Sequence, residues 1–187
     1  STGIRNTLLG GEAGDALTSA LDNVAIGYQA LTADTLGQRN IAIGNNTLDA
    51  QNFTTATNSY NTAVGYAAGG KVTTGIQNTL LGGLAGDALT DADLNVAIGM
   101  EALTTDTLGS KSTAIGYNAL AVQNFTTATD THNVAVGFQA GTAVTTGTQQ
   151  TFIGSLAGDA LNTGDRNTAV GYLSLIHISE PTRLGFI

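Results

Sequence analysis

Few side chains in this sequence are of the types that carry out catalysis or bind metals. The 187 residues include no cysteine and only two histidines, His132 and His177. A zinc site needs several His, Cys or carboxylate ligands, and a catalytic nucleophile needs a base beside it. His132 has no companion of either kind, so a surface histidine is a better interpretation than a metal ligand or a general base. We therefore expect no enzymatic activity, no metal and no cofactor.

Two recurring patterns could bind ions, but both are incomplete. Asp15, Asp87 and Asp159 are equally spaced along the sequence. A column of carboxylates can bind a cation, but four repeat units separate these aspartates, so they cannot share one ion. The glycine-rich stretch 82–86 is not followed by the Lys-Ser or Lys-Thr of a phosphate-binding loop. We predict solvated or turn-capping aspartates and structural glycine corners.

Four aromatic residues, Tyr28, Tyr66, Tyr117 and Phe138, each follow a glycine of a recurring motif. Aromatic rings combine a large apolar face with, in tyrosine, a polar handle. They could therefore form an aromatic stripe that binds glycans. The alternative is that each ring covers the corner made by its glycine.

These candidate residues all lie in copies of one repeating sequence unit. The motif Asn61-Thr62-Ala63-Val64-Gly65-Tyr66 has close copies along the chain, and their starts define a 17-residue unit, replaced at the third and seventh intervals by a 21-residue unit. Four successive units therefore make a 72-residue superperiod. Such self-similarity is typical of stacked repeat architectures. The copies start at Asn6, Asn23, Asn40, Asn61, Asn78, Asn95, Ser112, Asn133, Gln150 and Asn167.

Composition agrees with a repeat protein and excludes several classes of function. The chain has 25 glycines, 11% charged residues, 42% hydrophobic residues and a net charge of −8. Low charge with this hydrophobic content argues against disorder. The acidic balance, without any basic stripe, argues against nucleic-acid binding. No apolar run is long enough to insert into a membrane.

Each repeat unit predicts a short strand that ends at a tight corner. When the first residue of each motif copy is numbered one, position four is always aliphatic and position five is always glycine. A short β-branched run closed by an obligatory glycine favours a strand followed by a backbone conformation that a Cβ would obstruct. The candidate structural residues are the glycines Gly27, Gly44, Gly65, Gly99, Gly116 and Gly137 and the aliphatic residues Ile26, Ile43, Val64, Ile98, Ile115 and Val136.

Two or three short strands with glycine corners in each 17-residue unit describe one coil of a parallel β-solenoid. Equivalent residues would stack at about 4.8 Å, so ten coils would make a rod roughly 50 Å long. We predict that the position-four side chains form a continuous buried aliphatic spine. The asparagine at position one predicts either a stacked amide ladder or a turn in the left-handed region.

The two 21-residue units predict loops near Phe53 and Phe125 that bulge from the rod. These loops are an alternative place for glycan binding. Their Thr-Thr-Ala-Thr segments, 54–57 and 126–129, also suggest an ice-binding threonine array. Such an array needs threonines on one flat face in every coil, whereas these segments occur once in each superperiod.

Assembly with copies of itself is a further expectation. Small residues at positions three and eight predict a thin core with flat, weakly charged faces, which favour packing against the same rod. We expect a homotrimer, and a monomeric solenoid is the alternative.

The two ends of the chain differ in kind from the repeat. Residue 1 lies in mid-repeat, and the repeat ends at Tyr172. The segment 173–183 resembles the translation of a transposase-type sequencing adapter. We therefore predict one solenoid domain over residues 1–172 and a non-native tail over residues 173–187, and the alternative for the tail is a short C-terminal strand.

Repeats such as 61–69 and 23–31 resemble the head repeats of trimeric autotransporter adhesins, and they are also similar to repeats of bacteriophage tail fibres. The resemblance covers residues 1–172. It implies a left-handed parallel β-roll, assembled as a homotrimer and extracellular on a bacterial surface or a virion tail. Its partners would be copies of itself and a receptor on a host or cell surface. The family offers no catalytic residue.

Overall fold

The protein is a stack of ten coils in the computed structural model, which describes residues 3–176. These residues contain strands and turns but no helix. Consequently none of them belongs to a helix that could cross a membrane. The predicted all-β parallel solenoid is confirmed, while its left-handedness and its trimeric assembly stay predictions. Most of the predicted tail, residues 177–187, lies outside the described residues.

Ten three-residue strands form one continuous parallel sheet, and each coil contributes one strand. Two further pairs of two-residue strands flank the 21-residue units, so most coils have one strand and not the two or three expected. The sheet contains β1 (Thr7–Leu9), β2 (Val24–Ile26), β4 (Ile41–Ile43), β6 (Thr62–Val64), β7 (Thr79–Leu81), β8 (Val96–Ile98), β10 (Thr113–Ile115), β12 (Val134–Val136), β13 (Thr151–Ile153) and β14 (Thr168–Val170). The short pairs are β3 (Gly37–Gln38) with β5 (Thr57–Asn58) and β9 (Gly109–Ser110) with β11 (Thr129–Asp130).

The register of the sheet follows the repeat without interruption. Thr62 pairs with Thr79, one 17-residue unit later, and Ile41 pairs with Thr62 across a 21-residue unit. The additional residues of the longer unit leave the coil mainly as the exposed loop 54–56. The loop therefore changes the rim of one coil and leaves the sheet intact.

The corner after each strand requires glycine for two reasons. Gly27 has a φ of 132°, which a residue with a side chain rarely adopts, and a Cβ there would lie 2.4 Å from the carbonyl oxygen of Gly44 in the next coil. The rest of the coil turns through residues in the left-handed region, such as Gln29, Leu31 and Arg39. Each left-handed residue costs about 1–2 kcal/mol. Each of these three also donates its N–H to a neighbouring coil at 2.9–3.0 Å, which helps to offset that cost.

The buried spine of the rod is position three, not position four. Side chains alternate between the two faces of a strand, and in β8 Ala97 is fully buried while Ile98 is half-buried on the outer face. The prediction that Ile26, Ile43, Val64, Ile98, Ile115 and Val136 form the interior spine is therefore wrong for the single chain. The physical reason is volume, because a narrow coil with a buried asparagine at position one leaves room mainly for alanine at position three.

Larger residues enter the core where glycine makes room for them. Leu80 occupies position three between Gly69 and Gly86, where a Cβ would approach its methyl carbons to 2.7 and 2.8 Å respectively. Phe152 also lies between two glycines. Coils with a buried leucine at position nine, such as Leu31, have alanine at position three. The two positions thus compensate in size and keep the core filled.

The asparagines at position one form the amide ladder, which was one of the two predicted arrangements. The Asn78 N–H donates to Asn61 Oδ1 at 2.9 Å, and Asn78 Oδ1 accepts from the Asn95 N–H at 3.0 Å. Asn78 Nδ2 also donates to the Ala92 carbonyl at 2.8 Å, which ties the ladder to the last part of its own coil. All four residues are fully buried, so the ladder satisfies polar groups that water cannot reach.

Candidate binding surfaces

The four predicted aromatic residues lie in one column at position six, but they do not form one continuous stripe. The Tyr117 and Phe138 rings stack with centroids 5.4 Å apart. Tyr28 and Tyr66 are separated by the coil that has Asn45 at this position. All four rings are at least 40% exposed, and Tyr66 is the most exposed of them at 63%. These four residues therefore offer one stacked pair and two isolated rings.

The loops of the 21-residue units do not expose aromatic rings. Phe53 and Phe125 are each 7% exposed, because their side chains close the core where the loop leaves the coil. The exposed parts are the small-residue segments 54–56 and 126–128. The rings of Phe53 and Phe125 are therefore not exposed to a ligand, and glycan binding by the loops stays a prediction.

A buried carboxylate fixes the base of each loop, and sequence reasoning missed it. Asp34 is fully buried and accepts the Gly37 N–H at 2.9 Å, the Phe53 N–H at 3.1 Å and Gln51 Nε2 at 2.6 Å. Asp106 repeats this arrangement one superperiod later, with donors at 2.6–3.1 Å. Gln51 Oε1 in turn accepts Asn61 Nδ2 at 2.8 Å, so the network joins the amide ladder.

These buried carboxylates could have been predicted from position twelve of the repeat. Most coils have a buried leucine or valine there, whereas Asp34 and Gln51 occupy it in the two coils at the first loop. A polar residue at a position that is otherwise buried and apolar needs hydrogen-bond partners. The aliphatic members of the position are Leu17, Val72, Leu89, Val144 and Leu161.

A cavity of about 280 Å³ opens beside Tyr66 on the turn side of the rod. Its polar lining comes from Asn46 and Asp49 of the preceding coil, Lys71 of the same coil and Asp87 of the following coil. Ala67 and Gly70 complete the lining. Tyr66 and Asp87 are separate candidates in the sequence, and the stacking of the coils brings them together.

The outer sheet face, defined as positions two and four of the ten strands, is a second candidate surface. Its side chains are threonine, valine, isoleucine and leucine, and none is charged. Most are half-buried by their neighbours along the column, and those nearest the ends are more exposed, such as Leu9 at 66% and Val170 at 65%. The residues are Thr7, Leu9, Val24, Ile26, Ile41, Ile43, Thr62, Val64, Thr79, Leu81, Val96, Ile98, Thr113, Ile115, Val134, Val136, Thr151, Ile153, Thr168 and Val170.

The recurring aspartates mostly accept hydrogen bonds from the next coil. Asp15 Oδ1 accepts Thr32 Oγ1 at 2.8 Å, and Asp87 Oδ1 accepts Thr104 Oγ1 at 2.6 Å. Asp159 Oδ1 is buried and has no partner among the described residues. Over the same residues, no group of three or more His, Cys, Asp or Glu side chains is placed to hold a metal ion.

Exposed charges link neighbouring coils near position seventeen. The Arg5 guanidinium donates to Asp22 through Nη2 at 2.9 Å, and this hydrogen bond holds the pKa of the Asp22 carboxyl below its usual value. The Lys111 ammonium lowers the pKa of the Asp130 carboxyl in the same way. His132, which was predicted to be a surface histidine, is exposed in this column. These ion pairs are solvent-exposed and contribute little to stability.

Comparison of the chain with protein families, curated proteins and solved structures finds no match.

Proposed function

We propose that this chain is a structural and adhesive segment of an extracellular trimeric fibre, such as a surface adhesin head or a phage tail fibre. In this proposal three copies pack along the outer sheet face, and the assembled rod attaches to a receptor on a host or cell surface. The observation that carries the proposal is the long, uncharged outer sheet face described above.

The size and chemistry of this face suit a protein interface. Ten strands at a spacing of about 4.8 Å extend over about 43 Å. The face offers 20 side chains from positions two and four, and a standard interface uses about 20–30 residues from each partner. Monomeric proteins rarely expose continuous apolar patches of more than a few hundred Å². Because the face has no charged side chains, covering it removes no ion from water.

A second copy of the chain matches this face better than a partner of another fold. The ridges and grooves of the face repeat every coil, and only a surface with the same spacing can stay in register along its whole length. The face is also narrow, since each strand has three residues between the buried asparagine and the corner glycine. A narrow face lets several rods converge on one axis, which is the arrangement that the resemblance to trimeric fibres implies.

Sedimentation equilibrium of the wild-type chain and two charge-matched variants tests the assembly. Ile98→Glu places a carboxylate at the centre of the outer sheet face, whereas Gln77→Glu adds the same charge at an exposed position outside that face. We expect a trimer for the wild type and for Gln77→Glu, and folded monomers for Ile98→Glu. A wild type that stays monomeric at about 100 µM would refute the proposal, as would a trimer that tolerates Ile98→Glu.

The adhesive role needs a separate measurement. Fluorescent beads coated with the trimer should bind to at least one type in a panel of bacterial and animal cells, and uncoated beads should not. Equal binding by coated and uncoated beads would leave a structural spacer as the function and remove attachment from the proposal.

A further inference from the structure

We propose that the cavity beside Tyr66 binds a single uncharged pyranose unit of a glycan. This inference goes beyond fibre assembly, because every residue that lines the cavity belongs to one chain. Its volume of about 280 Å³ lies just below the range of about 300–1,000 Å³ that is usual for small-molecule sites, so it suits one sugar ring and not an oligosaccharide.

The cavity exists because one coil departs from its neighbours at position ten. Asp49 and Asp87 occupy this position in the flanking coils, while Gly70 occupies it between them. A Cβ on Gly70 would lie 3.4 Å from Asp49 Oδ1 and 3.3 Å from the Ala67 carbonyl oxygen, so a side chain there would occupy the space beside Asp49. The glycine therefore keeps open a space that two carboxylates flank.

The polar groups around this space can both accept and donate hydrogen bonds. Asp87 Oδ1 already accepts Thr104 Oγ1 at 2.6 Å, which leaves Oδ2 for a ligand. Asp49 is half-buried, and in the described part of the chain no ion pair joins Lys71 to either aspartate. Carboxylates accept from sugar hydroxyls, and an ammonium donates to them. Two carboxylates and one ammonium give the cavity a net negative charge, which disfavours acidic sugars.

Tyr66 supplies an apolar platform next to these polar groups. Its ring is 63% exposed, more than the rings of Tyr28, Tyr117 and Phe138 in the same column. The next coil has Gly83 at the same position, and the place where a Cβ of Gly83 would lie has no atom within 4 Å. No side chain from that position covers the ring. A pyranose has one face of C–H groups and a rim of hydroxyls, so it can contact the ring with its face and the charged groups with its rim.

The repeat contains a built-in comparison, because the equivalent place one superperiod later lacks this chemistry. There Phe138, Ala121, Thr142 and Ala143 replace Tyr66, Asp49, Gly70 and Lys71, and Gln139 and Ser155 replace Ala67 and Gly83. The same coil geometry is therefore present twice, once with the proposed binding groups and once without them. The fold tolerates both sets, so exchanging them is a mild perturbation.

The experiment uses the whole chain and the methyl α-glycosides of glucose, galactose, mannose and N-acetylglucosamine as probes. Proton–nitrogen correlation spectra are recorded while each glycoside is added up to about 100 mM. We expect at least one probe to shift amide signals of residues 66–71 with a dissociation constant of about 1–10 mM, as for a ligand of about 12 heavy atoms. The triple variant D49A/G70T/K71A, which takes its residues from the later coils, should keep the wild-type circular dichroism spectrum and lose at least 90% of these shifts.

A second variant tests whether the named residues are sufficient. The variant A121D/F138Y/Q139A/T142G/A143K/S155G moves the site to the later coils and should add saturable shifts around residue 138. Absence of saturable shifts with all four probes would overturn the inference, and so would equal shifts in the wild type and the triple variant. Shifts can be measured on a monomer or a trimer, so failure here is distinct from failure of the fibre proposal.

Discussion

Removing one member of the buried amide ladder should destabilise the rod by several kcal/mol. Asn78→Ala deletes the acceptor of the Asn95 N–H and the donor to the Ala92 carbonyl, which lie 3.0 and 2.8 Å from its side-chain atoms. Each buried polar group left without a partner costs about 1–3 kcal/mol. Two such groups give an expected loss of about 2–6 kcal/mol, before any cavity term is added. This is a large part of the stability of a typical domain.

Two further substitutions at the same position separate hydrogen bonding from volume. Asn78→Leu fills the space without restoring either bond, so it should be about as harmful as alanine. Asn78→Gln should be the mildest, because the chain itself has glutamine at the equivalent Gln150, whose Oε1 accepts the Asn167 N–H at 3.0 Å. The order of stability should be wild type, then Gln, then Leu and Ala together.

Urea unfolding followed by circular dichroism near 218 nm gives the ranking, and amide hydrogen exchange locates the damage. The Asn95 amide should exchange at least tenfold faster in Asn78→Leu than in the wild type, since its acceptor is gone. The reasoning would be refuted if Asn78→Leu were as stable as Asn78→Gln within about 0.5 kcal/mol, because packing and not the ladder would then hold the coils.

Three further outcomes follow from the geometry. Gly82→Ala should destabilise the chain by about 3 kcal/mol or more, because the φ of Gly82 is 137° and a Cβ there would lie 2.5 Å from a carbonyl oxygen of the next coil. Gly83→Ala is the control. It should change the urea midpoint little, because a Cβ at Gly83 has no atom within 4 Å. Ala97→Asp puts an unpaired carboxylate into the fully buried spine and should prevent cooperative folding, which loss of the circular dichroism signal would reveal. Arg5 lowers the pKa of Asp22, so the ion pair stabilises the folded chain at pH values above the unfolded-state pKa of this carboxyl, and this contribution is lost as the pH falls through the lower folded-state pKa. Arg5→Gln should therefore raise the Asp22 pKa measured by NMR titration. An unchanged titration would contradict the pairing.

The architecture was predictable because the repeat recurs along the whole solenoid and has a glycine at a fixed position. The recurring 17-residue and 21-residue units predict stacked coils directly, and the glycine after every strand but the last has both the φ and the close contact that exclude other residues. The amide ladder was also within reach, since an asparagine that recurs at one position of a stack can bond to its own copies.

The orientation of the strand was not predictable from the size of its residues. Ile98 is larger and more apolar than Ala97, so burial of the isoleucine was the natural expectation, yet the coil is too narrow for it. The buried Asn95 at position one gives the correct phase, because side chains two residues apart lie on the same face of a strand. If the asparagine is interpreted as an exposed turn residue, it gives no indication of which face of the strand is buried.

The candidate sites escaped prediction for a different reason. The cavity beside Tyr66 gathers residues from three coils, and its defining feature is an absent side chain at Gly70. The buried Asp34 interrupts an apolar position, but two of its three donors come from the following coil. Such groups come together only through the stacking of the coils, and predicting their contacts requires the register of that stack at the level of single residues.

The hydrogen bonds that join one coil to the next also determine how the rod responds to force. Each coil is bonded mainly to its two neighbours, and the chain enters and leaves the stack at opposite ends. A pull along the axis therefore detaches coils from an end one at a time. A released 17-residue coil lengthens the tether by roughly 50 Å, which is its extended length of about 56–61 Å less one coil spacing. In the proposed fibre, this release of one coil at a time would dissipate mechanical energy in many small steps and so reduce the peak load on the attachment site.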